Sequence, residues 1–264
     1  MTLPASTLKL LRSLSQKRER ASSGLLLAEG ARCVQEALEA GAAIQAAFYT
    51  DEVRESAAEF VRRLESAAGQ AAQISAKDLQ RVSDVVTSQG VLALVRWTPV
   101  GPETVLAGTA SDALLVACDG LSDPGNMGSL LRTCAWFGVQ GVVCGAGCVD
   151  VTNPKVVRGS MGAIFHLRIA QEVDLPAVLR EAKAAGYQLL GTDASARTRY
   201  DSADFGRRTI VVLGNEAHGL SAPVRAAVQQ VIRIPRYGKA ESLNVAVACG
   251  IVLAAARSRS TGGG

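Results

Sequence analysis

ALLVACDGLSDPGNMGSLLRTCAWFG, residues 113–138, is the stretch whose reading decides the fold. Its first six positions are uniformly apolar and run into Asp119, the pattern of a strand buried on both faces. A Gly- and Pro-containing loop follows, after which Leu130, Leu131, Cys134 and Phe137 recur at helical spacing. A helix is expected from about Met127, with Asn126 as its N-cap. The alternation repeats downstream. GVVCG (141–145), FHLRI (165–169), YQLLGTD (187–193) and TIVVLG (209–214) read as apolar strands, and LPAVLREAKAAG (175–186) as an amphipathic helix between two of them. Near-continuous apolar strands separated by helices predict a parallel sheet covered on both faces. Ligands of such sheets sit beyond the carboxyl ends of the strands, so the loops after Cys118, Thr192 and Leu213 are where chemistry is sought.

Upstream lies a second, smaller α/β pattern. GLLLAEGARCVQEALEAG (24–41) reads as a strand running into a helix from about Ala31 that stops at Gly41. IQAAFYT then reads as a strand, DEVRESAAEFVRRLESAAG as one helix, the region of Gln73 to Ser75 as a strand, and LVRW closes the series at Trp97. This makes a unit of roughly 95 residues. TPVGPETVLAGTAS (98–111) has the composition of a connection. The expected organisation is a first domain over 1–98, a linker over 99–111 and a second domain over 112–264.

The 264 residues carry 28 Lys and Arg against 24 Asp and Glu, a net charge of +4. With 48% hydrophobic and 20% charged residues, the chain can bury a core and is no disordered tail. No apolar run approaches the ~18–20 residues of a membrane span. The opening MTLPASTLKLLRSLSQKRER does not read as a secretory leader, so a cytoplasmic protein without membrane contact is expected. His166 and His218 stand far from any zinc-type Cys spacing, and Cys144 and Cys148 have no second pair to join, so no metal is expected. The six cysteines read as small buried hydrophobes in a reducing compartment. Phosphate-loop, dinucleotide-fingerprint and nucleophile-elbow motifs are all missing from the sequence.

The strand-end loops therefore offer a site without metal ligands or an obvious histidine base. Asn126 stands at the start of the first helix, and Arg132 lies between one and two turns into it, off the buried stripe. Gly214, Asn215 and Glu216 follow an apolar strand, where a carboxylate orients a hydroxyl, binds a cation or caps a turn. Arg236, Lys239, Glu241, Ser242 and Asn244 precede a final helix that is apolar nearly all round, and such a helix is expected to be buried. Capping and surface charge are the plain alternatives for each. Lys9, Arg12, Lys17, Arg18 and Arg20 face one acid, Glu19, and make either a solvated helix face or a phosphate contact.

NMGSLLR (126–132), LGNEAHGL (213–220) and IPRYGKAESLNVAVA (234–248) resemble the three motifs of the SpoU/TrmH family, SPOUT-class RNA ribose 2′-O-methyltransferases. NPKVVRGSMGAIFHLRI (153–169) is similar to that family's connecting region. Residues 9–41 resemble the small ribosomal-protein-like substrate-binding domain that often precedes the rRNA-modifying branch. The resemblance implies a parallel-sheet SPOUT domain with a deep trefoil knot, a homodimer, and methyl transfer from S-adenosylmethionine to a ribose 2′-hydroxyl of RNA. Large-subunit ribosomal RNA is the first expectation for the acceptor. The alternatives are a tRNA ribose methyltransferase and a catalytically silent RNA-binding relative.

Carried onto matching positions, the resemblance gives S-adenosylmethionine to Thr192, Leu213, Gly214, Ile234 and Leu243, held largely by main-chain groups. It gives substrate and catalysis to Asn126, Arg132, Glu216, Ser242 and Asn244. Arg132 is the family's candidate for the hydroxyl proton, yet a guanidinium is a poor base at neutral pH. Local deprotonation aided by an RNA phosphate, or stabilisation of the alkoxide by the cation, both remain open. Lys17, Arg18, Arg20, Arg158, Arg236 and Lys239 are the expected RNA contacts. Ala246 stands where many family members carry serine.

Overall fold

In a computed structural model, which describes residues 3–83, 88–107 and 112–260, the first buried strand is Leu25–Glu29 (β1). The chain divides into one unit of Met1–Thr98 with Asp150–His166 and another of Pro99–Val149 with Leu167–Gly264.

In the first unit, β1 joins Ile44–Tyr49 (β2), Ala71–Gln73 (β3) and Val91–Arg96 (β4) in the order β1-β4-β2-β3. β4 is antiparallel to β1 and β2, and β3 is parallel to β2. Leu8 and Leu11 of helix Ala5–Ser13, with Leu14, pack with Leu25, Leu27, Phe48, Leu92 and Leu94. Helix Ala31–Glu39 buries Cys33, Val34 and Ala37 at helical spacing, as its sequence predicts. The single helix expected over 51–69 is two, Asp51–Ser56 and Ala58–Ala67, because Ala57 sits at φ −137° and ψ 47°. The expected strand at Gln73–Ser75 ends at Gln73, since the Ser75 hydroxyl is taken as the cap of helix Ala76–Gln80, accepting from Asp78 N.

Segment 150–166 belongs to this unit although both flanks of it belong to the other. Helix Pro154–Gly159 packs on β1. Arg20 is buried, and its guanidinium donates to Leu14 O, Ser15 O, Thr152 Oγ1 and Asp150 Oδ2 at 2.8, 2.9, 3.0 and 2.5 Å. Arg20 is therefore corrected from an expected RNA contact to a structural residue, because its polar head faces protein. Arg158 donates to Glu29 Oε2 at 3.3 Å and is only part-exposed. Lys17 and Arg18 are exposed.

The second unit holds seven strands: Ala113–Cys118 (β5), Gly141–Gly145 (β6), Arg168–Val173 (β7), Gln188–Thr192 (β8), Thr198–Arg199 (β9), Arg208–Leu213 (β10) and Gln230–Arg233 (β11). Their order is β7-β6-β5-β10-β8-β11-β9, and every neighbouring pair is parallel. The parallel sheet is thus the one expected, except that the strand read at FHLRI starts at Arg168, since Ala163–His166 form a 3-10 turn. β5, β6 and β7 step outward in one direction, β8 starts on the other side, and β10 fills the gap between β5 and β8. The reversal at β5 and β10 opens a crevice at their carboxyl ends.

Residues 102–107 of the expected linker form a helix that buries Val105 and Leu106 with Leu115, Leu189 and Ile210, and Tyr187 donates its hydroxyl proton to Leu106 O at 3.0 Å. Residues 108–111 of that linker, and 261–264 at the end of the expected second domain, lie outside the described residues. Among the described residues no helix is long and apolar enough to cross a membrane.

Candidate active site

Two parallel helices deliver the first polar groups to the crevice. Helix Pro124–Trp136 starts two residues before Asn126: Asp123 is the N-cap, its Oδ1 accepting from Asn126 N at 2.7 Å, with Pro124 in the first helical position. The expected cap at Asn126 is corrected accordingly, since proline needs no amide partner there and the acid before it is free to cap. Helix Val245–Ser260 is capped by Asn244, whose Oδ1 accepts from Ala246 N at 2.9 Å and Val247 N at 3.3 Å. Arg257, near the other end, donates to Phe137 O and Gly138 O at 2.7 and 2.5 Å, answering carbonyls that the end of the first helix leaves unpaired.

Capping leaves the side chains of Asn126 and Asn244 directed at each other. Asn244 Nδ2 donates to Asn126 Oδ1 at 2.7 Å, and Asn126 Nδ2 donates to Glu216 Oε1 at 2.8 Å. A carboxylate only accepts, so Glu216 fixes the Asn126 amide with its nitrogen outward, and the oxygen is left for Asn244. Asn244 must then offer nitrogen to Asn126 and oxygen to its own helix. The carboxylate at one end and the helix amides at the other impose the same direction on the line.

Asn215 holds Glu216 in place, and the sequence weighed it only as a loop residue. Its Nδ2 donates to Gly120 O at 2.7 Å, tying the loop after β10 to the loop after β5. Its Oδ1 accepts from Ala217 N at 2.9 Å and His218 N at 3.3 Å, and its backbone pairs with Gly219. The signal was there in Gly-Asn-Glu-Ala-His-Gly: an Asn side chain that bonds its own backbone two residues on closes a tight turn. A Cβ at Gly214 would lie 2.3 Å from the Gly219 carbonyl carbon, so this glycine is required by the closure of its own loop.

The other expected residues divide. Arg132 is exposed and makes no hydrogen bond or ion pair among the described residues. Ser242 is likewise exposed and outside the hydrogen-bonded line. Thr192 and Leu213 end neighbouring parallel strands, level with each other, and the Thr192 hydroxyl donates to Val212 O at 3.3 Å. No backbone hydrogen bond within the chain engages residues 235–243 among the described residues. Leu243 is 51% exposed beside that open main chain. The final helix departs from the expected full burial, for Val247 is 52% exposed, as are Trp136 and Tyr237 at 84% and 88%.

All six cysteines are free, five of them buried. Burial pushes the Cys33 thiol up to about 12, and the bond to Cys144, followed by burial, raises Cys148. Among the described residues no group of three or more His, Cys, Asp or Glu side chains could hold a metal ion.

Comparison with known proteins follows the same division of the chain. Residues 113–254 match the model of the SpoU rRNA Methylase family, and residues 5–93 match that of the MRM3-like substrate binding domain. An uncharacterized tRNA/rRNA methyltransferase of Synechocystis sp. is 35% identical over 94% of this chain and 89% of its own. The 23S rRNA (guanosine(2553)-2′-O)-methyltransferase RlmP of Bacillus subtilis is 32% identical over 92% of each. The crystal structure of the SpoU methyltransferase AviRb from Streptomyces viridochromogenes, in complex with AdoMet, superposes with a TM-score of 0.86 at 26% identity, covering 98% of this chain and 99% of that one.

Proposed function

Because the chain belongs to the SpoU rRNA methylase family, we propose that it methylates a ribose 2′-hydroxyl of ribosomal RNA with S-adenosylmethionine as donor. The observation that carries the reading is the line Glu216–Asn126–Asn244, directed at one end by a carboxylate and assembled at the crevice where the strand order reverses. The residues present fit the donor. Among the described residues the main chain of 235–243 has its hydrogen-bonding groups unspent, and the part-exposed Ile234 and exposed Leu243 supply apolar surface beside them. Thr192, Leu213, Gly214, Ile234 and Leu243 would hold it, through backbone groups that match the edges of an adenine.

When bound, S-adenosylmethionine would supply a methyl group already activated on a sulfonium, with a neutral thioether as the leaving group. The chain's task is to align the 2′-oxygen and to accept the charge that develops as its proton leaves. Alignment alone is worth up to ~7–11 kcal/mol in well-oriented reactions. Arg132, with an exposed guanidinium, serves as the cation beside the nascent alkoxide, and the hydroxyl proton passes to water. Asn126 and Asn244 position the ribose, and Ser242 bonds a neighbouring hydroxyl.

RNA is recruited by residues 1–98, with Lys17 and Arg18 on phosphates, and by Arg158, Arg236 and Lys239 of the region 112–264. The chain works in the cytoplasm as a homodimer through the final helix, where Val247 is exposed, together with Trp136 of the neighbouring helix. Insertion of β10 and β11 between strands laid down earlier agrees with a trefoil knot. The test is transfer of tritiated methyl groups to purified ribosomal RNA, followed by alkaline digestion. Alkali-resistant, labelled dinucleotides are expected; label confined to bases, or to tRNA alone, would contradict the proposal.

A further inference from the structure

At the outer edge of the seven-stranded sheet, β9 pairs with β11 so that Arg199 stands opposite Arg233. Directly paired residues project to the same face, which sets two like charges side by side where the two-residue strand β9 meets β11. Arg199 is answered by Asp201, with Nε and Nη2 donating to the two carboxylate oxygens at 2.9 and 2.6 Å. Arg233 and Arg197, both exposed, make no hydrogen bond or ion pair among the described residues. Tyr237, four residues beyond Arg233, holds its ring in solvent at 88% exposure with its phenol against Arg199. Folding gains nothing from two uncompensated arginines and an exposed aromatic ring at one edge of a sheet, so the arrangement suits a ligand that is both anionic and flat.

We propose that this edge is a further RNA contact, in which the phosphodiester backbone of a single-stranded segment crosses Arg197 and Arg233 and one base stacks on Tyr237 beside Arg199. The inference rests on RNA being the methyl acceptor and names a surface that such an acceptor meets. Aromatic rings next to arginine are the general means of holding unpaired bases, whereas an acidic peptide has no use for the ring. The position suits a substrate track: the chain runs from Arg233, through the open main chain of 235–243, to Asn244 of the candidate site.

The test uses the full chain and a short, unstructured, fluorescein-labelled RNA, with affinity followed by anisotropy across a potassium chloride series. Arg197→Ala combined with Arg233→Ala should lower the slope of log affinity against log salt by about 1.4, the loss of two single-strand phosphate contacts. Tyr237→Ala should weaken binding about fivefold or more with the slope unchanged, and Tyr237→Phe should restore it. Wild-type affinity and slope in both alanine variants would overturn the edge site. So would equal losses in Tyr237→Ala and Tyr237→Phe, or displacement of the RNA by polyglutamate that depends on Arg197 and Arg233 but not on Tyr237. Methyl transfer is measured on the same samples. Wild-type methylation with unaltered variants sinks the edge contact alone, whereas edge-dependent RNA binding without methyl transfer upholds the contact and sinks the enzymatic reading.

Discussion

Arg20 in the first unit and Arg132 in the second mark two regions that spend the same side chain in opposite ways. Around Arg20, the loop ahead of its helix and the Asp150–Thr152 segment answer the buried guanidinium with two carbonyls, a hydroxyl and a carboxylate. At the strand ends of the second unit, Asn126, Glu216 and Asn244 answer one another while Arg132 stays in solvent with its donors unspent among the described residues. Both arginines sit in sequence stretches that suggest RNA. What separates them is the full account of hydrogen-bond partners, since a buried and saturated cation has nothing left to offer a ligand.

The comparison can be broken at either side. Arg20→Met leaves Asp150 buried without its cation and is expected to cost about 3–5 kcal/mol of stability, read by urea denaturation of the full chain. A loss below about 1 kcal/mol would make this pair no more than a surface contact. Asn126→Ala leaves the Asp123 cap intact, so stability should hold while kcat for methyl transfer falls about 10²-fold, the scale for losing a positioned donor. An unchanged kcat would remove Asn126 from the site.

Glu216→Gln is a subtler cut. Glutamine leaves the helix amides still orienting Asn244 but exchanges a charged acceptor for a neutral one, and a fall in kcat of about tenfold is expected, the worth of one hydrogen bond to a charged group. Wild-type turnover in that variant would show that the charge of Glu216 is not needed to hold Asn126.

The smallest effect concerns Asp193, whose carboxyl is held below its ordinary range by the Ser195 hydroxyl first and also by Arg225. A lowered carboxyl adds stability above its unfolded pKa and loses it as pH falls through the folded value. Ser195→Ala should therefore narrow the difference between stability at neutral pH and at about pH 3, measured by denaturation. An unchanged pH profile would contradict that assignment.

Much of the second unit was legible because fully buried parallel strands are written as apolar runs, and the polar residues that end them stand out. ALLVAC and TIVVL announced themselves, and Asn126, Glu216 and Asn244 followed from the loops beyond. Their meeting did not follow from local pattern: Asn126 and Glu216 are 90 residues apart and touch because β10 inserts beside β5. Strand order is a tertiary outcome that hydrophobic periodicity does not encode. The same limit hid the role of Arg20, whose carboxylate partner lies 130 residues away. The resemblance to known motifs located the site residues, but it left Asn215 unassigned, whose work is to close a turn and join two loops.

Arg132 gives the most direct test of the account. Single-turnover methyl transfer to ribosomal RNA, at saturating S-adenosylmethionine, is compared for the wild type and Arg132→Ala, with donor affinity measured by calorimetry. The account predicts a rate lowered about 10³-fold, donor affinity within about twofold of wild type, and unchanged stability. A variant that methylates RNA at the wild-type rate would contradict the claim that the exposed guanidinium serves the chemistry.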